Sequence, residues 1–299
     1  MRKWALVFFL ALMGVAAVPA AHLLYLYYHS NFKPPDFYCD WNLTPKTSPS
    51  VLFKKDAKKI LDQKFFYLGH GKQMTAYESE DHQYVIKFFN PRPVIREKKW
   101  RKLETWRRLS SLKWASNAYL KRKQRITRLF QRYQLAFEEL PEETGLLYVH
   151  FGKETRLSQK LNLADKTGKL YRIDMDRAPF ILQRRSELVT NRLTRLLQNG
   201  EVDKAKQNLE ELYLFFFHRA KKGFTDRIQT VHNNYGFVRD KVIQIDLGRL
   251  EKKESIRLSP EKETERIHRK ISQSLSKRYP ELALFIQELS ERQHEQIRL

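Results

Sequence analysis

Asn233-Asn234-Tyr235-Gly236-Phe237-Val238-Arg239-Asp240-Lys241-Val242-Ile243-Gln244-Ile245-Asp246-Leu247-Gly248 is the stretch on which the reading of the fold turns. Two short apolar runs, Tyr235–Val238 and Val242–Ile245, flank a polar turn at Asp240-Lys241. That is the pattern of a tight hairpin. The second run ends in an acid, Asp246, with a glycine soon after. A carboxylate closing a buried strand is a natural magnesium ligand, and an amide oxygen on the preceding loop, from Asn234, would complete an oxygen donor set.

On either side of this stretch the periodicity is helical, over 186–198 and 202–222 upstream and 261–278 and 281–297 downstream. The first half of the chain reads differently. Phe65 to Phe89 alternates in the strand manner, with turns at Gly69-His70-Gly71 and Glu78–His82, and predicts a three-stranded meander. Further strands are expected at Gly145–Phe151 and Tyr171–Gln183, after a basic helical region from Ile95 to about Glu139. The expected fold is therefore α+β, a β-rich half followed by an α-helical half.

Two features of the β-rich half carry chemistry. Leu68-Gly69-His70-Gly71-Lys72-Gln73-Met74 lies between two strands, and glycines there let backbone approach a phosphate because no Cβ intervenes. Tyr84-Val85-Ile86-Lys87-Phe88-Phe89 sets one lysine in an otherwise apolar strand. A buried ammonium is costly unless paired, so Lys87 should face a carboxylate or a phosphate.

In order and spacing, residues 60 to 250 resemble the protein kinase-like superfamily, including its aminoglycoside phosphotransferase branch. Asp246-Leu247-Gly248 resembles the family's Asp-Phe-Gly magnesium motif, and Asn234 resembles the metal-binding asparagine of its catalytic loop. Lys87 is similar to its phosphate-contacting lysine, and Gly69 and Gly71 to the first glycines of its nucleotide loop. The resemblance implies a two-lobed domain, with an N-lobe at about 60–183 and a C-lobe at about 184–299. It implies ATP and Mg2+ as cofactors, with Asn234 and Asp246 on the metal. It also implies a carboxylate partner for Lys87, from Glu97 or, with better spacing, Glu104. The family's catalytic aspartate lies five residues before the metal asparagine, a position that here is Gln229. The nearest acid is Asp226, which becomes the candidate base. Met74 stands where a third loop glycine would fall. These departures imply a degenerate site, belonging either to a phosphotransferase of unknown acceptor or to a pseudokinase.

Composition bounds the alternatives. Of 299 residues, 57 are Lys or Arg and 34 are Asp or Glu, for a net charge of +23. Such a field attracts anionic partners, whether nucleotide, lipid headgroup or nucleic acid. Cys39 is the only cysteine, which excludes an intrachain disulfide and a cysteine-based zinc site. The histidines have no ligand spacing and no Ser-His-Asp or Cys-His arrangement is evident, which disfavours a metal hydrolase or protease. From Trp4 to Tyr28 there is no charged residue. That run is long enough to cross a bilayer, and its aromatic end suits the headgroup level. Residues 1–28 are accordingly expected to form one N-terminal transmembrane helix, with 29–59 as a linker and 60–299 as the domain. A cleaved signal peptide is the competing reading. The positive-inside rule puts the domain outside the cytoplasm, whereas use of ATP puts it inside, so the side stays open. Between Arg92 and Arg132 fifteen Lys or Arg meet two acids, with aromatics interleaved. This region suits anionic lipid first and nucleic acid second, and a non-enzymatic basic module is the rival to the kinase-like reading.

Overall fold

The computed structural model describes residues 37–38, 57–71, 73–90, 113–151, 156–226 and 230–298. Residues 1–28, the expected membrane span, lie outside them, as does 91–112 with Glu97 and Glu104. No helix among the described residues is long and apolar enough to cross a membrane.

The β-rich half is a seven-stranded sheet among the described residues. Its strands are β1 (Lys64–His70), β2 (Met74–Ser79), β3 (Tyr84–Phe89), β4 (Leu146–His150), β5 (Lys160–Ala164), β6 (Leu170–Asp174) and β7 (Phe180–Arg184), in the order β4-β7-β3-β2-β1-β5-β6. All pairings are antiparallel except β1 with β5. The meander read from Phe65–Phe89 is β1 to β3. Central β3 is buried on both faces, which is why its sequence is apolar without a break except at Lys87. On one face, Phe65, Tyr77, Ile86, Phe88, Leu161, Ile173 and Phe180 form a core. Phe37, which the sequence places in the linker, joins it by stacking on Phe88 with ring centroids 4.8 Å apart.

The stretch Tyr171–Gln183, read as one strand, is two. Asp174 and Asp176 break it: Asp174 Oδ1 accepts from the Asp176 N–H, and the Asp176 carboxylate accepts from the N–H groups of Leu157 and Ser158. These local bonds turn the chain over Met175–Arg177 instead of extending the ladder. β5, which the sequence reading lacks, pairs in front of β6.

Helix α1 (Lys113–Glu139) lies on the other face of the sheet, followed by the short α2 (Pro141–Thr144). Phe130, Tyr133 and Ala136 of α1 pack on Phe89, Val149 and Ile181, and the same core reaches Leu247 and Leu250. α1 therefore touches both halves of the molecule.

The helical half follows β8 (Glu187–Leu188). It contains α3 (Val189–Gln198), α4 (Val202–Lys221), α5 (Val231–Asn234), α6 (Glu254–Arg257), α7 (Pro260–Arg278) and α8 (Ala283–Arg298). Leu209, Leu212, Tyr213 and Phe216 recur at helical spacing on α4 and meet Leu193, Ile267, Ile271 and Ile286 in one core. Gly223, at φ +82°, ends the turn after α4; a Cβ there would sit 3.3 Å from Lys253 O. It releases the chain into β9 (Phe224–Asp226), which pairs with β12 (Leu250–Lys252). The hairpin read at 235–245 is present as β10 (Tyr235–Val238) and β11 (Lys241–Gln244). β8 pairs with β10, and here a Cβ on Gly236 would lie 2.5 Å from Ser186 Oγ and 2.7 Å from Glu187 O. Only glycine allows so close an approach, and it fixes the hairpin against the segment leaving the sheet.

Candidate active site

Gly69, Gly71, Lys87, Asp226, Asn234 and Asp246 all line one cavity of about 400 Å³ between the sheet and the helical half. Residues separated by 177 positions in sequence are brought together there, 69 from the roof and 246 from the floor. His70, Gln73, Met74, Ala76, Tyr133, Asn233, Ile245, Gly248 and Arg249 complete the wall.

The roof turn is closed by the Gly71 N–H donating to Met74 O at 2.8 Å. Buried Asn90 braces it: its Nδ2 donates to Gly71 O, and its Oδ1 accepts from Thr75 Oγ1, each at 2.8 Å. Nothing lies within 4 Å of where a Gly69 Cβ would project, so what this glycine supplies is open space over the cavity.

Lys87 stands on β3 opposite Ala76 and Ile181. Its ammonium donates to Gln183 Oε1 at 2.7 Å and to Ile245 O at 2.5 Å. Both are neutral acceptors. Burial brings the pKa of Lys87 down to about 8, with the Asp246 carboxylate opposing the shift. Glu104, the expected carboxylate partner, lies outside the described residues.

Asp246 follows β11 and is exposed to the cavity, its Oδ1 accepting from the Gly248 N–H at 2.9 Å. A Cβ on Gly248 would lie 2.3 Å from Gln73 Oε1 and 3.2 Å from Asp246 Oδ1, so a side chain there would have to displace Gln73. Asn234 ends α5, and its carbonyl accepts from the Ile245 N–H at 2.8 Å, which sets it beside Asp246. Asp226 is 1% exposed, at the end of β9 opposite Leu250. The alternative position, Gln229, lies outside the described residues.

Two buried glutamines, unnoticed in the sequence, join these groups. Gln244 Nε2 donates to Asp226 Oδ2 at 2.9 Å and to Asp246 O at 3.0 Å, while its Oε1 accepts from Arg219 at 2.8 Å. Gln183 Nε2 donates to Thr144 O at 2.5 Å and to Gln244 O at 3.2 Å, while its Oε1 accepts from Lys87. Arg and Lys can only donate, so they decide which end of each amide is oxygen. Lys87, Asp226 and Asp246 are thus held in one hydrogen-bonded frame. The signal was available: Gln244 and Gln183 each interrupt an apolar run, as Lys87 does.

Tyr133 of α1 also reaches the cavity. Burial, and then the Asp246 charge, push its phenol well above the ordinary value, and a hydrogen bond from the Leu247 backbone opposes them. From the same helix Arg132 donates to Gly248 O at 2.5 Å, pinning the loop after Asp246.

The oxygen donors fit magnesium. Among the described residues no group of three or more His, Cys, Asp or Glu is placed to hold a metal. Magnesium is content with one or two carboxylates, keeping waters and substrate phosphates for its other positions. Asp246 and Asn234 supply one carboxylate and one amide oxygen.

The Lys87 shift has a measurable consequence. Its charged form is disfavoured in the folded state, so the cost is present in full below pH 8 and is relieved as pH rises from 8 toward the ordinary 10.5. The wild type should therefore gain on the order of 2–3 kcal/mol relative to Lys87→Met over that interval. Paired denaturant titrations at pH 7 and pH 9.5 measure it; parallel behaviour of the two proteins would place the ammonium in solvent.

No protein-family model matches the chain, and no curated protein matches it. Among solved structures it is similar to the bifunctional kinase-methyltransferase WbdD, at 16% identity over 61% of this chain and 31% of that one, with a TM-score of 0.30. The chain thus spans about a third of WbdD. It is similar to Rv3197 of Mycobacterium tuberculosis, in its erythromycin complex, at 13% identity over 79% and 59% of the two chains, with a TM-score of 0.33. WaaP in complex with acyl carrier protein gives 12% identity over 86% and 94%, with a TM-score of 0.29. Likeness of this degree defines no family, and the functional reading rests on the site.

Proposed function

We propose that this chain is a kinase-like, two-lobed protein that binds Mg-ATP between its sheet and its helices and transfers a phosphoryl group. The observation that carries the reading is the convergence of the glycine turn, Lys87, Asp226, Asn234 and Asp246 on one cavity. In this reading Lys87 contacts phosphate oxygens, its two hydrogen-bond partners among the described residues being neutral. Asn234 and Asp246 would hold the metal, which supplies charge neutralisation on the phosphates when bound. Asp226 accepts the proton of an acceptor hydroxyl as the new oxygen–phosphorus bond forms and the bond to the departing ADP breaks. Gln244 keeps that carboxylate oriented. Catalysis of this kind comes mostly from positioning and charge stabilisation. The presence of Asp226 in the cavity favours an active enzyme over a pseudokinase. The uncharged run 4–28 supports attachment of the domain to a membrane by a single span.

Thermal unfolding of the full chain with Mg-ATP, with Mg2+ alone and with ATP plus EDTA tests the reading. Nucleotide at a hundredfold excess over its Kd should stabilise the fold by about 2.7 kcal/mol. No shift at millimolar Mg-ATP would remove the nucleotide site and leave the rival reading of a non-enzymatic basic module.

A further inference from the structure

The sheet extends past the cavity through β1, β5 and β6, and its two faces there differ. Phe65, Leu161, Leu163 and Ile173 point into the core. The alternate residues point the other way and are aligned across the strands. Lys64 pairs with Asn162 and Asn162 with Arg172, while Phe66 pairs with Ala164 and Ala164 with Leu170. Paired residues share a face, so a cationic row lies directly beside an apolar one. Lys64, Lys160 and Arg172 are exposed, and Phe66 and Leu170 remain 42% and 58% exposed. Of the acids on this face, Glu78, beside Phe66, bonds Arg185, Asp174, beside Lys160, accepts from the Asp176 N–H, and Glu80, whose N–H donates to Lys64 O, is exposed. β6 is the sheet's edge.

The path of the chain bounds how far this end of the sheet lies from the uncharged run, Phe37 packing on its core side. Tyr38 OH accepts from the Asp174 N–H at 3.0 Å, and the Arg177 guanidinium lies 4.2 Å over the Tyr38 ring. Residues 37–38 are thus fastened at the end of β6. The uncharged run ends at Tyr28, and the segment 29–36 can span at most about 30 Å. The edge of β6 is therefore held within that distance of whatever surface the run enters.

We infer that the β1–β5–β6 face is a membrane-docking surface, its cationic row meeting anionic headgroups and Phe66 and Leu170 entering the headgroup layer. The inference rests on residues 4–28 being an anchor. Each basic residue near an anionic surface strengthens attachment about fivefold, and the tether removes the need for high intrinsic affinity.

The test uses the full chain with Cys39→Ser and Leu170→Cys, labelled at position 170 with an environment-sensitive fluorophore and reconstituted with vesicles. The vesicles are either phosphatidylcholine alone or a 7:3 mixture with phosphatidylglycerol, each with and without brominated acyl chains. Expected are flotation with both compositions, but a blue-shifted, bromine-quenched label only in the anionic one. Adding Lys64→Glu, Lys160→Glu and Arg172→Glu should return the label to an aqueous spectrum while flotation persists. Flotation with an aqueous label in both compositions overturns the docking surface and leaves the anchor standing. Flotation and quenching with anionic vesicles alone support the surface and remove the anchor. No flotation with either overturns both, and so does a label that responds to RNA but not to vesicles.

Discussion

Replacing Arg219 with methionine is expected to lower the stability of the fold by about 3–5 kcal/mol, the usual cost of removing one partner from a buried charged network. Arg219 is fully buried on α4. Its guanidinium donates to Tyr235 OH at 2.9 Å and to Gln244 Oε1 at 2.8 Å, and it lies 5.2 Å from the Phe216 ring centre. Methionine fills much of the same volume, so the loss comes from polar groups and not from a void. Gln244 Oε1 loses a buried donor, and Asp226, one amide away, loses the nearby cation that offsets its charge. Denaturant midpoints of wild type, Arg219→Met and Arg219→Lys measure it. The lysine variant keeps the charge without the fork and should fall between the two. A loss below about 1 kcal/mol for methionine would mean that the network contributes little net stability.

Asp246→Asn should abolish the magnesium-dependent part of nucleotide stabilisation and leave the unliganded fold within about 1 kcal/mol of wild type. The asparagine can still accept the Gly248 N–H through its amide oxygen, so the loop keeps its geometry. What it loses is the negative charge and the hard oxygen that hold a divalent ion. The comparison is the melting temperature with ATP plus Mg2+ against ATP plus EDTA, in both proteins. A variant that keeps the full magnesium increment would move the metal away from Asp246.

The hairpin at 235–245 and the meander at 65–89 were legible because each has apolar runs separated by polar turns, and local rules suffice for those. Lys87, Asn234 and Asp246, which line one cavity, could be singled out because each is a polar group at the end or centre of such a run. β5 was not legible. Lys160–Ala164 is short, and its partner β1 lies 98 residues earlier in a parallel pairing that no local pattern announces. Gln183 and Gln244 carried the same interruption signal as Lys87, but an amide in a strand has many uses, and only tertiary contact reveals these. Lys87 was expected to face a carboxylate or a phosphate. Among the described residues Gln183 Oε1 and a backbone carbonyl meet its ammonium, brought there by β7 and the end of β11, while Glu97 and Glu104 lie outside them.

The contact between Gly248 and Gln73 gives the cavity a sizing element beside the Asp246 carboxylate. Gln73 belongs to the roof turn and Gly248 to the floor loop, and their approach depends on one absent methyl group. Gln73 is exposed and can swing aside, so alanine at 248 would push the Gln73 side chain out of its place at the cavity mouth. The bulk of ligand admitted would then be governed by position 248. Analogues too large for the native mouth could be sorted from smaller ones by that single change.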